Sequence, residues 1–316
     1  MYMLYSVCLR ALCEKGSRGS VLIVTETPAG RGKGSCTAIT MSKIGLIDEN
    51  DIPVVGLASF CANEVKETRE VVQKALDAGI RHFEIAELFG NGHIIVEAII
   101  ARDIKRTEVF ITLKVWPKDR GAKETVQACL DSLESFGLQF ADAILLHAPI
   151  DTVNDQDQWR AFEYLQKEGL AKTVGVANLT EQKLTEVLKN STTSGGPALV
   201  EMECTPYRQS EDLVSFCADG GIVVLNNNPT GKRLKSELGA LLDIAGQAEC
   251  SQDMLLTRWA VQKGHAVLVS PEQLDTPDFS VANASLPLGA AVVKQLDELE
   301  QGLVTSFVTR DIAPDE

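Results

Sequence analysis

The sequence predicts a (β/α)8 barrel, and three features carry that prediction. From residue 52 onward, short apolar runs alternate with longer amphipathic ones, as strands and helices do when they take turns along a chain. The short runs are apolar at successive positions rather than at every second one, which marks strands covered on both faces and therefore a parallel sheet. Eight such units follow one another, and eight units over about 250 residues fit a closed barrel better than an open sheet. No G-x-G-x-x-G follows the first strand, so an open dinucleotide-binding sheet lacks its usual fingerprint.

The elements follow in order. Val54 to Ala58 reads as the first strand. Asn63 is placed to cap a helix whose Val65, Val71, Val72, Ala75 and Leu76 fall mostly on one face, and Gly79 closes it. The second strand is 80–86, followed by a helix through Ile94 to Ile100, and the third is Val109 to Lys114. A helix over 122–135 precedes the strand Ala143 to His147, and a helix over 157–168 precedes Thr173 to Asn178. Helices over 180–190 and 210–219 lead to the strands Leu199 to Glu203 and Ile222 to Leu225. Helices over about 233–246 and 252–263 lead to the last strand, Ala266 to Val269, with a helix over 288–301 behind it.

Composition bounds the partners. A chain of 316 residues, 45% hydrophobic and 23% charged, is ample for one large core. The formal charge of -14 and the pI near 4.8 argue against nucleic acid and anionic membrane, which need a basic footprint. No apolar run reaches the roughly 18 residues of a spanning helix. The eight cysteines show no C-x-x-C spacing and the four histidines no zinc-ligand spacing, so reduced thiols in a cytoplasmic setting and no metal are expected. Residues 1–40 stand apart: Arg10, Lys15, Arg18, Arg31 and Lys33 outnumber Glu14 and Glu26. They read as an extension outside the fold, either without structure or an organellar transit segment, and 41–316 reads as one barrel domain.

In a barrel, function gathers at the carboxyl ends of the strands. The residues there are Glu84, Lys114, His147, Asn178, Glu201 to Glu203 and Asn226 to Asn228. A charge directly after a buried strand needs a partner. Glu84 and Lys114, on adjacent strands, are expected to form an ion pair with His147 beside it. Each also has a plainer reading: a structural ion pair, a satisfied strand-end histidine, and turn chemistry for Asn226 to Pro229.

Residues 80–91, Ile-Arg-His-Phe-Glu-Ile-Ala-Glu-Leu-Phe-Gly-Asn, resemble a segment reading roughly G-x-R-H-x-D-T-A-x-x-Y-G-N in the aldo-keto reductases. Val109 to Trp116 is similar to that family's lysine strand, Asp142 to Pro149 to its histidine strand, and Gly169 to Asn178 to the segment ending in Ser-Asn. Pro206-Tyr207 and Ile222 to Gly231 continue the likeness, which covers about residues 44–270.

The resemblance implies an aldo-keto-reductase-type barrel that moves a hydride from NADPH to an aldehyde or ketone, with a tyrosine hydroxyl supplying the proton. It maps Glu84 onto the family's aspartate, Phe89 onto the tyrosine, and Lys114 and His147 onto the remaining catalytic pair. Phe89 has no hydroxyl, and loss of a general acid costs ~10²- to 10⁴-fold in rate, so catalysis is expected to be weak or lost. At the cofactor positions, Ala177-Asn178 stands for Ser-Asn, Glu201 for a glutamine, Asn227 for a stacking tyrosine, and Ser270-Pro271 for the Lys-Ser pair at the 2'-phosphate. Each charge-assisted bond lost is worth ~1.5 to 3 kcal/mol, so NADP is expected to bind weakly or not at all. The competing reading is a regulatory subunit on the same barrel that binds a partner enzyme. Ala148 to Asp151 and Val223 to Pro229 are somewhat similar to segments of the modifier subunit of glutamate-cysteine ligase.

Overall fold

The computed structural model describes residues 42–62, 64–116, 121–147, 155–192, 196–231 and 239–302. The extension 1–40, the Asn63 cap and the Ala148 to Asp151 segment lie outside the described residues.

A hairpin opens the structure: β1 (Lys43–Gly45) pairs antiparallel with β2 (Asp51–Pro53). The sequence reading gave this stretch no strands, because three residues on each side are too few to show a period. Ile44 and Ile52 bury their side chains, and Asn50 Nδ2 donates to the Lys172 carbonyl at 3.2 Å. The hairpin is thus fastened to the amino-terminal end of the barrel.

The barrel strands are β3 (Val55–Leu57), β4 (His82–Ala86), β5 (Phe110–Val115), β6 (Ala141–Leu146), β7 (Ala171–Ala177), β8 (Leu199–Met202), β9 (Val223–Asn226) and β10 (Ala266–Val269). They are hydrogen-bonded in chain order, all parallel, and β10 closes on β3. The expected eight strands are present, with no boundary displaced by more than two residues.

The helices are α1 (Val65–Asp77), α2 (Gly92–Ile100), α3 (Ala122–Ser135), α4 (Asp155–Lys167), α5 (Glu181–Asn190), α6 (Glu211–Asp219), α7 (Gly239–Gln247), α8 (Gln252–Gln262), the short α9 (Val281–Ala284) and α10 (Ala290–Asp297). In α1 the buried positions are Thr68, Val72, Ala75 and Leu76, at the spacing of one helical face. Val65 is exposed at 52%, which corrects its place in the expected apolar stripe; Thr68 takes it. Gly79 ends α1 as expected. At φ 91° it adopts the left-handed conformation that a glycine takes without a Cβ penalty. Its N–H donates to Leu76 O at 3.1 Å and the next N–H, of Ile80, to Ala75 O at 2.9 Å, the paired closure of a Schellman motif. That turn aims Ile80 inward and sends the chain into β4.

Apolar side chains from every barrel strand form one core with the helices, but the lumen also carries a polar column. Residues two apart on a strand share a face, so His82 and Glu84 rise together on β4, and Thr112 and Lys114 on β5. His82 Nε2 lies 2.9 Å from Thr112 Oγ1, and the missing Cβ of Gly56 makes room for that imidazole.

Candidate active site

The column ends at the carboxyl side of the strands in an ion cluster. Lys114 Nζ lies 2.5 Å from Glu201 Oε1 and 3.6 Å from Glu84 Oε1. The expected Glu84–Lys114 pair is present, yet the closer partner of Lys114 is Glu201, from across the lumen. Both carboxylates are buried, at 2% and 0% exposure.

Hydrogen bonds fix the geometry. Glu84 Oε2 accepts from the Ser59 backbone N–H at 3.0 Å and from the Ser59 hydroxyl at 2.6 Å. Glu201 Oε1 also accepts from Asn227 Nδ2 at 2.6 Å. Asn91 Nδ2 donates to the Phe60 carbonyl at 2.9 Å, so the Gly90-Asn91 pair ties the turn after β4 to the loop after β3. Ser59 was missed in the sequence; its signal is the hydroxyl placed just after the first strand.

Above the cluster opens a cavity of about 350 Å³ whose walls include Ser59, Glu84, Phe89, Lys114, Asn227 and Ser270. Phe89 ends a 3-10 turn, Glu87–Phe89, capped by Gly90 at φ 63°. Ser270 precedes a second such turn, Pro271–Asp275, and its N–H donates to Gln273 Oε1 at 2.9 Å. Five of the predicted site residues therefore meet at one cavity. Glu201 lies beneath it, while His147 and Asn178 are not among its walls. Asn178 adopts φ 56°, a conformation asparagine tolerates better than most residues, and donates its N–H to the Glu201 carbonyl at 2.7 Å. Asn226 and Asn228 serve the structure: Asn226 bridges the Cys204 N–H and C=O, and Asn228 donates to Glu203. A second cavity, about 460 Å³, lies at the opposite end of the barrel under the hairpin, away from the strand ends that carry function in this architecture.

The charges divide unequally. Burial and then the Glu84 charge push Glu201 up to about 7, against the pull of Lys114. Burial works against Glu84 too, but the Lys114 ammonium and the Ser59 hydrogen bonds overcome it and hold Glu84 down to about 2. Burial would discharge Lys114, yet Glu201 and Glu84 together raise its pKa. Burial and then Lys114 lower His147 to about 3, leaving a neutral ring packed on Trp116, with centroids 4.9 Å apart. The cluster is thus a fixed cation, one fixed carboxylate and one carboxyl group poised near neutrality.

Among the described residues no group of three or more His, Cys, Asp or Glu side chains is arranged to hold a metal ion, and no helix is long and apolar enough to cross a membrane.

The model of the aldo/keto reductase family matches residues 54–301. The chain is similar to an aldo-keto reductase of Mycobacterium avium, 31% identical over 246 residues that cover 77% of this chain and 86% of the relative. It is 28% identical over 296 residues to the glycerol 2-dehydrogenase (NADP(+)) of Hypocrea jecorina, covering 81% of this chain and 91% of that one. Among solved structures it resembles MGS-M4, an aldo-keto reductase enzyme from a deep-sea metagenome library, with a TM-score of 0.76 and 26% identity over 85% of this chain and 99% of the other.

Proposed function

This chain belongs to the aldo/keto reductase family, and from that premise we propose that it is an oxidoreductase taking a nicotinamide dinucleotide and a small aldehyde or ketone at the barrel mouth. Its turnover is slow because residue 89 brings no hydroxyl. The observation that carries this reading is Lys114, clasped by Glu84 and Glu201 and walling the same cavity as Phe89 and Asn227.

The residues present fit the nicotinamide end of such a cofactor. Asn227 Oδ1 is buried and has no hydrogen-bond partner; a carboxamide N–H supplies the missing donor, and an unmade buried hydrogen bond costs ~1 to 3 kcal/mol. The phosphate end is served less well. Among the described residues lining the cavity, Lys114 is the sole cation, and Glu67 and Glu272 join Glu84 as acids. Ser270 offers a neutral group where a 2'-phosphate needs charge. NADPH therefore gains little over NADH here.

When bound, the dinucleotide supplies a hydride. The chain's own residues hold and polarise the second substrate: Lys114 presents an ammonium to a carbonyl oxygen, and Glu201 together with the Ser59-held Glu84 fixes that ammonium in place. Neutral His147 and Trp116 lie beside the lysine strand's end. The side chain of Phe89 contributes wall without a proton.

Titration of the purified chain with NADH and with NADPH, followed by tryptophan fluorescence, tests the reading; comparable binding of both at micromolar concentration is expected, followed by slow reduction of reactive aldehydes. No binding of either up to millimolar concentration refutes it. The regulatory-subunit reading has no observation of its own, since Asn226 to Asn228 are occupied in bracing the mouth. The same oxidoreductase reading sets the protein in a reducing, cytoplasm-like compartment, in keeping with free thiols at Cys61, Cys129, Cys204, Cys217 and Cys250.

A further inference from the structure

We propose that Glu84 and Glu201 share one proton at neutral pH, and that this proton, passed through Lys114, serves the carbonyl oxygen in place of the hydroxyl that residue 89 lacks. The inference rests on the functional reading above and adds the source of its acid.

The hydrogen-bond partners are unevenly shared. Glu84 Oε2 has two donors, both from Ser59. Glu201 Oε1 has two, from Lys114 and Asn227. The other oxygen of each carboxyl, Glu84 Oε1 and Glu201 Oε2, is buried with no donor. The two carboxyl groups are close enough to hydrogen-bond to each other. Two buried bare acceptors are costly, and a single proton between them satisfies both.

The charges point the same way. With all three side chains ionised, two carboxylates share one ammonium in a buried site, and like charges so placed do not both ionise. The groups facing the Glu201 carboxyl are Glu84 on β4, Lys114 on β5 and Asn227 after β9. His147, after β6, is a neutral ring beside Lys114. Among these, Lys114 is the one cation. The inequality between the two carboxyl groups, with Glu201 raised and Glu84 lowered, follows from this arrangement.

Lys114 connects the pair to the cavity. An ammonium has three N–H groups, and with Glu201 Oε1 at 2.5 Å and Glu84 Oε1 at 3.6 Å one remains to donate to an oxygen in the cavity it lines. In the balanced step, the carbonyl carbon receives a hydride, with its two electrons, from a reduced nicotinamide dinucleotide, and the carbon–oxygen π pair moves to oxygen. The oxygen takes a proton from Lys114 Nζ. The shared proton of the carboxyl pair moves to Lys114, both carboxylates are then ionised, and solvent returns one proton before the next turnover. The products are an alcohol and the oxidised dinucleotide. Glu201 acts through Lys114, as a positioning residue that stores the proton.

The test begins without turnover. The full chain, labelled with carbon-13 at the glutamate side-chain carboxyl, is titrated by NMR from about pH 5 to about pH 9, across the neutral range where ordinary carboxyl groups stay ionised. A resonance moving with a midpoint near neutrality, absent in Glu201→Gln, is expected; glutamates that all titrate in the ordinary acidic range overturn the proposal whether or not the protein is active. Single-turnover hydride transfer to a reactive aldehyde, with reduced cofactor preloaded, then tests delivery. In the native chain the rate should fall about tenfold per pH unit above that same midpoint, and Glu201→Gln should be slower and lose that limb. A native profile that is level across the midpoint overturns the delivery of the proton. Absence of any dinucleotide binding strikes down the functional reading, and delivery with it, while the NMR titration still decides whether the pair holds its proton.

Discussion

Glu201→Gln should make the protein more stable at alkaline pH while leaving its stability near pH 4 almost unchanged. In the unfolded chain Glu201 loses its proton at the ordinary value of 4.5, whereas in the fold it keeps it up to about 7. Between those values the unfolded state has released a proton that the folded state still binds, so each step up in pH favours unfolding. Moving a carboxyl from 4.5 to about 7, at ~1.4 kcal/mol for each pH unit, amounts to about 3 kcal/mol of stability missing above pH 7 and fully present below 4.5. A glutamine side chain is close in size and does not ionise, so the variant escapes that loss, and its amide can donate to Glu84 as the protonated acid does. Urea unfolding followed by the fluorescence of buried Trp159 and Trp259 reads the difference. The variant should match the native chain at about pH 4, below the unfolded value, and exceed it by about 3 kcal/mol at about pH 8. A stability difference that is the same at both pH values would refute the reasoning, because it would mean that Glu201 ionises alike in the folded and unfolded states.

Phe89→Tyr places a hydroxyl in the wall of the cavity that Lys114 lines, and carbonyl reduction by the variant should rise ~10²- to 10⁴-fold in a steady-state assay with NADH or NADPH. Lys114→Met strands two buried carboxyl groups. It should cost about 3 to 5 kcal/mol near neutral pH by urea unfolding, with part of the loss recovered in acid as Glu201 and Glu84 take up protons. His147, held down to about 3, should show no titration of its ring carbon shifts by NMR between about pH 5 and pH 8, where an ordinary histidine titrates. Gly175→Ala would bring a Cβ to 2.5 Å from the Leu199 carbonyl oxygen on the neighbouring strand. The melting temperature should fall, in keeping with an overpacking cost of about 1 to 3 kcal/mol.

The barrel was legible because its strands are short, mainly apolar runs with only single polar residues among them, as strands buried on both faces are. The hairpin Lys43–Gly45/Asp51–Pro53 was not, since three-residue strands leave no period to detect. Glu84, Lys114 and Phe89 could be placed at one mouth because they close neighbouring strands or follow them directly. The role of Glu201 could not be read. It lies 87 positions from Lys114, on a strand that is not hydrogen-bonded to β5, and only the curvature of a closed sheet brings two long side chains across the lumen to 2.5 Å. Asn178 and His147 were identified as mouth residues from their strand ends, but neither lines the cavity that Lys114 walls: Asn178 turns with φ 56° and the His147 ring packs on Trp116, arrangements that strand position alone does not display.

The lengthwise distribution of the cluster matters for how the barrel can be divided. Glu84 and Lys114 both fall in the first four-strand half, β3 to β6, and neutralise each other there, while Glu201 sits in the second half, β7 to β10. Cut between β6 and β7, the amino-terminal fragment would keep the Glu84–Lys114 pair, and the carboxyl-terminal fragment would carry Glu201 parted from its ammonium, with Asn227 still donating to it. The fragments are therefore unequal partners. Rejoining them near neutral pH should draw a proton from solvent, because the acid that is ionised in the free fragment is closed into the seam as a neutral group.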